Sequence, residues 1–238
     1  MHAMILAAGR GERMRPLTDF TPKPLLTVAG RPLIVRHIER LALAGITKIV
    51  VNHAWLGQQI VQALGDGQQW GVQIRFSAEV NALETAGGIA RALPLLGDDA
   101  FLVLNGDIWC DWPLQSVFQR QLDMKNDPQR LAHLVLVDNP AHNPEGDFLL
   151  NSDQTVSAQS TPIPQIPQIP AQKRLTFSGI GIYQPALFAG LDPTVPAKLA
   201  PLLRQAMAKE AVTGEHHTGR WMDIGTPQRL AELQTWPL

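Results

Sequence analysis

Leu6-Ala7-Ala8-Gly9-Arg10-Gly11-Glu12-Arg13-Met14-Arg15-Pro16-Leu17-Thr18, followed by Pro22-Lys23-Pro24-Leu25, is the stretch on which the reading turns. It grows out of Ala3-Met4-Ile5-Leu6-Ala7, a short, continuously apolar run that ends at Gly9 and reads as a buried strand. A strand that empties into a glycine-bearing loop is where open α/β sheets place their ligands. Glycines let backbone N–H groups approach phosphate oxygens with no Cβ in the way. Arg13 and Arg15 offer planar guanidinium forks, and Lys23 is a point charge between two prolines that stiffen its loop. Two common phosphate loops are excluded. Met14 stands where a dinucleotide loop needs its third glycine, and the run contains no Gly-Lys-Ser/Thr.

Outward from this loop, strands and helices are expected to alternate. Leu33, Ile34, His37, Ile38, Leu41 and Ala42 share one helical face, with Pro32 before them and Gly45 after. A strand is expected at 48–52, a helix at 56–64 closed by Gly65, a strand at 72–77 and a helix at 84–93. A fourth strand, 100–104, ends on Asn105-Gly106-Asp107. The second half is less regular: helices at 114–122, 198–210 and 227–233, and strands at 131–137 and 175–183. Alternation of this kind predicts an α/β fold, Rossmann-like and three-layered, with a mostly parallel central sheet. The glycine loop and Asp107 then fall together at the carboxyl ends of the strands. Residues 160–172, where Ile-Pro-Gln recurs, read as a proline-rich surface loop, the alternative being a PxxP ligand.

Bulk properties restrict the function. The chain has 238 residues, 45% of them hydrophobic and 17% charged, which suits one folded domain rather than a disordered segment. Within it, residues 1–110 hold the glycine loop and the regular alternation, and 111–238 the less regular second half. A net charge of −1 gives no basic excess for nucleic acid or a membrane surface. No apolar run approaches the ~20 residues of a membrane span. The run 1–9 is too short for a signal peptide. The lone cysteine, Cys110, permits no internal disulfide and fits a cytoplasmic protein.

The whole run through Lys23 resembles the signature of sugar-1-phosphate nucleotidylyltransferases: Gly-x-Gly-x-Arg, Pro-Leu-Thr, Pro-Lys-Pro. Further matches follow in order. Leu83-Glu84-Thr85-Ala86-Gly87 is similar to the family's base-binding segment, with Glu84 where the family often has glycine. Asn105-Gly106-Asp107 resembles its metal-binding strand end, Gly146-Asp147-Phe148 its sugar-facing glycine, and Trp221-Met222-Asp223-Ile224-Gly225-Thr226-Pro227 its closing motif. The segment 174–179 and the short length look most like members that act on N-acetylmuramate 1-phosphate in bacterial peptidoglycan recycling. No Glu-Lys-Pro follows Gly146, although many members use it on the sugar phosphate.

The resemblance implies transfer of a uridylyl group from UTP to a sugar 1-phosphate, with release of pyrophosphate. Mg²⁺ would be held by Asp107 and Asp223, the α-phosphate and incoming phosphate by Lys23, and the departing pyrophosphate by Arg13. Ala8, Gly9, Gly11, Glu12 and Thr85 would bind the nucleotide, and Asn105, Gly146 and Gly179 would face the sugar. Lys198 and Arg204 are candidates for the lactyl carboxylate. A monomer or small homo-oligomer is expected.

Other readings remain beside these. A metal-dependent glycosyltransferase would want an Asp-x-Asp pair, and Asn105-Gly106-Asp107 has one carboxylate. A non-catalytic nucleotide sensor would be expected to lose Lys23, Asp107 or Asp223, and all three are present. Uracil and thymine differ by one methyl, about 1–3 kcal/mol in a fitted pocket. Arg15 is as much a solvated arginine as a phosphate ligand. His216 and His217 read as surface residues, Trp109 and Trp112 as packing at the sheet edge, and Cys110 as a packing residue.

Overall fold

The computed structural model describes residues 1–158 and 173–236. The proline-rich stretch 160–172 therefore lies outside the described residues. The elements are β1 His2–Leu6, β2 Thr27–Val28, β3 Arg31–Pro32, α1 Leu33–Leu43, β4 Lys48–His53, α2 Gly57–Leu64, β5 Gln73–Ala78, α3 Glu84–Leu96, β6 Phe101–Asn105 and β7 Ile108–Cys110. They continue with α4 Val117–Asn126, β8 Ala132–Val137, β9 Phe148–Leu150, β10 Val156–Ser157, β11 Arg174–Tyr183, α5 Leu199–Met207, β12 Val212–His217, β13 Trp221–Asp223 and α6 Pro227–Leu233.

Four parallel strands, in the order β5-β4-β1-β6, form the first half of the sheet. The long β11 pairs antiparallel with both β6 and β8, and β12 runs parallel to β8. The first residues of β11 pair with β9, which carries β10, so one nine-stranded sheet spans both halves.

The central strands β1 and β6 are apolar over most of their length because both of their faces are covered. Ala3 and Ile5 of β1, with Leu102 and Leu104 of β6, face Ile34, Ile38 and Leu41 of α1, Ile60 of α2 and Val117 of α4. The alternate residues Met4, Phe101 and Val103 face Ile89 of α3 and Leu203 of α5. A third, smaller cluster joins the two ends of the chain: Met14, Leu26, Val28 and Leu33 pack on Met222, Ile224, Leu230 and Leu233.

The connection from β5 through α3 returns to the far side of β1, so the strand order switches direction between β1 and β6. That is where a crevice opens in such sheets. The strand ends approach closely here, since Gly106 N–H donates to the Leu6 carbonyl at 2.9 Å. A Cβ on Gly106 would lie 2.5 Å from that same oxygen, which only glycine avoids.

Several expected boundaries moved. The helix expected at 84–93 continues to Leu96, with Pro94 in its last turn, where only one further turn depends on it. The helix expected at 198–210 stops at Met207, and Glu210 turns to a φ of 55°. The one expected at 114–122 is a single 3-10 turn followed by α4.

Candidate active site

A cleft of about 370 Å³ opens at the switch point, walled by Leu6, Ala7, Ala8 and Gly9 after β1, by Asn105, Gly106 and Asp107 after β6, and by Glu84 and Thr85 at the start of α3. A second cavity of about 210 Å³ is lined by Gly11, Glu12, Arg13, Met14 and Gly225. Gly9, Lys23 and Asp107 belong to both, so they mark the junction of the two chambers.

The loop keeps its shape from within. Gly11 has a φ of 69°, the left-handed region that glycine enters at no steric cost. The Thr18 hydroxyl donates to the Gly11 carbonyl at 2.8 Å. The Thr18 carbonyl in turn accepts from Arg10 at 3.0 Å and from Trp55 Nε1 at 3.2 Å, while the Arg10 guanidinium stacks 3.5 Å above the Trp55 ring. A Cβ on Gly9 would meet no protein atom within 4 Å, so there the missing side chain leaves open cleft rather than relieving a clash.

Lys23 Nζ lies 2.5 Å from Asp107 Oδ2, with side-chain exposures of 9% and 38%. A nearly buried ammonium needs a partner, and Asp107 supplies it. Asp223 stands beside this pair: β13 pairs with β7 so that Asp223 opposes Ile108, and Ile224 N–H donates to the Asp107 carbonyl at 2.7 Å. The two carboxylates thus come from adjoining strand ends although 116 residues separate them in sequence (223 minus 107).

The base side of the cleft rests on a buried polar chain. Asn52 Oδ1 accepts from Ala7 N–H at 2.8 Å, Asn52 Nδ2 donates to Glu79 Oε1 at 2.7 Å, and Glu79 Oε2 accepts from Leu83 N–H at 2.8 Å. This chain ties the ends of β1, β4 and β5 to the start of α3. His37 on α1, fully buried near the Asp107 turn, is pushed down to about 4 by burial and by Arg40, against the pull of Asp107 and a bond to the Ile108 backbone. It is therefore neutral at neutral pH and brings no competing charge.

Residues 2–236 match the family model described as nucleotidyl transferase. The chain belongs to the nucleotidyl transferase family. It is 55% identical over 236 residues to an N-acetylmuramate alpha-1-phosphate uridylyltransferase of Neisseria meningitidis, covering 98% of this chain and 97% of that protein. A protein of the same name from Caulobacter vibrioides is 32% identical, covering 97% of each. Mannose-1-phosphate guanyltransferase beta-A of Xenopus laevis is 28% identical over 96% of this chain and 62% of its own length. The fold resembles that of a Bacillus anthracis protein described as a glucose-1-phosphate thymidylyltransferase and solved with sucrose, with a TM-score of 0.81 at 21% identity, covering 100% of this chain and 97% of that one.

Within this nucleotidyl transferase, Ala8, Gly9, Gly11, Glu12, Arg13, Lys23, Thr85, Asn105 and Asp107 all line the two chambers. Gly146, Gly179 and Asp223 do not. Gly179, with a φ of 83°, packs against Asn105, so it touches the cleft through that side chain. Gly146 packs against Asn139, and a Cβ there would lie 2.6 Å from Asn139 Oδ1. Arg15 pairs with Asp19 at 2.7 Å and lines neither chamber, as a solvated arginine would. Lys198 and Arg204 are exposed on the start and end of α5 and line neither chamber. Burial pushes the Cys110 thiol up to about 11, which suits a packing residue.

Four participants escaped sequence reasoning: Asn52, Glu79, His142 and Arg229. Asn52 sits near the end of β4, after Ile49-Val50-Val51, and Glu79 directly follows β5, and a buried polar residue at a strand's carboxyl end is a signal. Arg229 and His142 both reach Asp223, His142 Nε2 at 3.0 Å from Oδ1 and Arg229 through Nη1 to the same oxygen. No spacing rule connects residues 142, 223 and 229. His216 and His217 are not free surface residues either: they end β12 and bond to Asp138 at 3.2 Å and Asp111 at 2.7 Å.

Proposed function

We propose that this protein transfers a uridylyl group from UTP to N-acetylmuramate 1-phosphate, releasing pyrophosphate and returning a cell-wall sugar to its nucleotide-activated form. The observation that carries this reading is the 55% identity, end to end, with the Neisseria uridylyltransferase. Over a comparable length the Xenopus laevis guanyltransferase is 28% identical, and the fungal guanyltransferases that reach 38–42% do so over only 49–59% of this chain. The buried, unpaired Cys110 supports a reducing, cytoplasmic setting.

The geometry supports a division of labour. The attacking group is a phosphate oxygen that is already ionised, so the reaction needs alignment and charge screening rather than a base. The larger chamber suits the base and ribose, and the smaller one, with Gly11 and Arg13, suits the pyrophosphate. Lys23 stands at their junction, where the α-phosphorus would lie. Asp107 lies just before β7 and Asp223 ends its partner strand β13, and their carboxylate oxygens are the donor type that fits Mg²⁺. Mg²⁺ held there would neutralise phosphate charge and fix the in-line geometry.

Pyrophosphate release, measured with UTP and a panel of sugar 1-phosphates, tests this. Wild type is expected to give its highest kcat/KM with N-acetylmuramate 1-phosphate and to fall silent when EDTA removes the divalent ion. A higher kcat/KM with N-acetylglucosamine, glucose or mannose 1-phosphate, or with GTP as donor, would overturn the substrate assignment.

A further inference from the structure

Two guanidinium groups converge on one glycine at the mouth of the smaller chamber. An ideal Cβ on Gly225 would lie 2.9 Å from Arg229 Nη2 and 3.0 Å from Arg13 Nη2. Like charges brought this close are costly unless an anion lies between them. Asp223 answers part of that charge through Arg229, and the Asp223 side chain is 25% exposed against 17% for Arg229. Arg13 and Arg229 nevertheless present two forks to one point, which matches the oxygens of a phosphate better than a single carboxylate.

Position separates the two forks. Arg13 leaves the phosphate loop after β1 and lines the smaller chamber. Arg229 sits in the first turns of α6 and touches His142 at 3.1 Å, on the loop between β8 and β9. That loop belongs to the second half of the molecule, the side away from the base.

The other cations of that half are committed or remote. Arg174 donates to the backbone oxygens of Glu145, Ala158 and Asp147. Arg120 pairs with Glu215, and Lys173 pairs with Asp138. Arg220 is exposed at the opposite end of β13 from Asp223. Lys198 and Arg204 are exposed on α5. Among these, only Arg229 pairs with Asp223.

We propose that Arg229 binds a phosphate oxygen of the incoming sugar 1-phosphate, with His142 steering its guanidinium from the sugar side. The inference rests on the nucleotidylyl-transfer reading above but not on the choice of sugar, because the phosphate is common to all sugar 1-phosphates. It also accounts for the contact with Asp223, the residue before the Ile224 N–H that donates to the Asp107 carbonyl at 2.7 Å.

The test is Arg229→Gln and Arg229→Lys, assayed with UTP and whichever sugar 1-phosphate wild type turns over best. Thermal melting verifies the fold of both variants. Removal of a charge-assisted phosphate contact is expected to raise KM for the sugar 1-phosphate roughly 10- to 100-fold. KM for UTP should move less than about threefold on the same reasoning, and Arg229→Lys should recover part of the loss. Calorimetric titration of sugar 1-phosphate into the UTP-analogue-bound protein should weaken in parallel. If instead KM for UTP rises and that for the sugar 1-phosphate does not, Arg229 serves the triphosphate and the proposal fails. It fails equally if the Mg²⁺ concentration for half-maximal rate rises while both KM values hold, because Arg229 would then act only through Asp223. Should wild type transfer no nucleotidyl group to any sugar 1-phosphate, the functional reading falls first, and titration of inorganic phosphate into wild type and Arg229→Gln still decides whether this arginine is a phosphate ligand.

Discussion

Lys23 combines two properties that rarely coexist: a formal charge and near-complete burial. Pro22 and Pro24 hold the backbone, the single turn that begins at Lys23 fixes its direction, and Asp107 receives the ammonium at 2.5 Å. A charge so placed is organised before the substrate arrives, which is the condition for stabilising a transition state rather than a ground state. Lys23→Ala is therefore expected to lower kcat by more than it raises KM for UTP. Steady-state kinetics with circular dichroism as a fold control would check it, and an effect confined to KM would refute the role. Lys23, Asp107 and the glycine loop were legible because they sit in contiguous, chemically unusual runs. Glu84 was legible in a different way: it replaces the glycine often found there, and the structure places it at a φ of 59°, a conformation that costs a side chain about 1 kcal/mol or more. Asn52, Glu79, His142 and Arg229 are isolated polar residues whose meaning comes from folding alone.

β12 shows the same limit for an element. Val-Thr-Gly-Glu-His-His alternates poorly and contains a glycine, so it did not read as a strand. It forms because its polar residues find partners across the sheet. Thr213 Oγ1 meets His133 Nδ1 at 2.9 Å, and Glu215 accepts from Arg120 at 2.5 Å and from Trp112 Nε1. Burial works against ionisation of Glu215, yet the nearby His133 ring at 3.7 Å and the bonds from Trp112 and Arg120 prevail and hold it down at about 2. The ordinary value is about 4.5, so the folded value is depressed. Its stabilising contribution is thus fully present above about 4.5 and is lost as pH falls toward about 2. Glu215→Gln is expected to unfold at lower urea concentration than wild type at pH 7, with the gap shrinking at about pH 3 because the unfolded carboxyl is protonated there and folding must remove that proton. Urea midpoints at the two pH values provide the measurement. An equal gap at both would remove Glu215 from the acid sensitivity of the fold.

At the scale of the molecule, we propose that residues 1–110 serve mainly the nucleotide and 111–238 mainly the sugar, but the packing crosses between them three times. β11 inserts between β6 and β8, so β6 in the first half takes its outer neighbour from residues 174–183. Ala86 and Gly87 N–H groups at the start of α3 donate to the Ala197 carbonyl at 2.9 and 3.1 Å. Met14 in the phosphate loop is buried against Met222, Ile224, Leu230 and Leu233, and Ala29 N–H bonds to Gln234 Oε1 at 3.0 Å. Without the second half, a fragment of residues 1–110 would expose the unpaired edge of β6 and the apolar face of Met14, and would also lose the α5 cover over α3. We propose that the chain folds as one unit, and the expected outcome is a single cooperative urea transition. Far-ultraviolet circular dichroism reports the sheet and helices, and tryptophan emission reports the seam where Trp109 packs edge-on against Trp236 at 5.4 Å. The two curves should superimpose, and the 1–110 fragment expressed alone should show no cooperative transition. Separate midpoints for the two probes, or a cooperatively folded fragment, would mean that the halves are independent and that the three seams are contacts between finished domains.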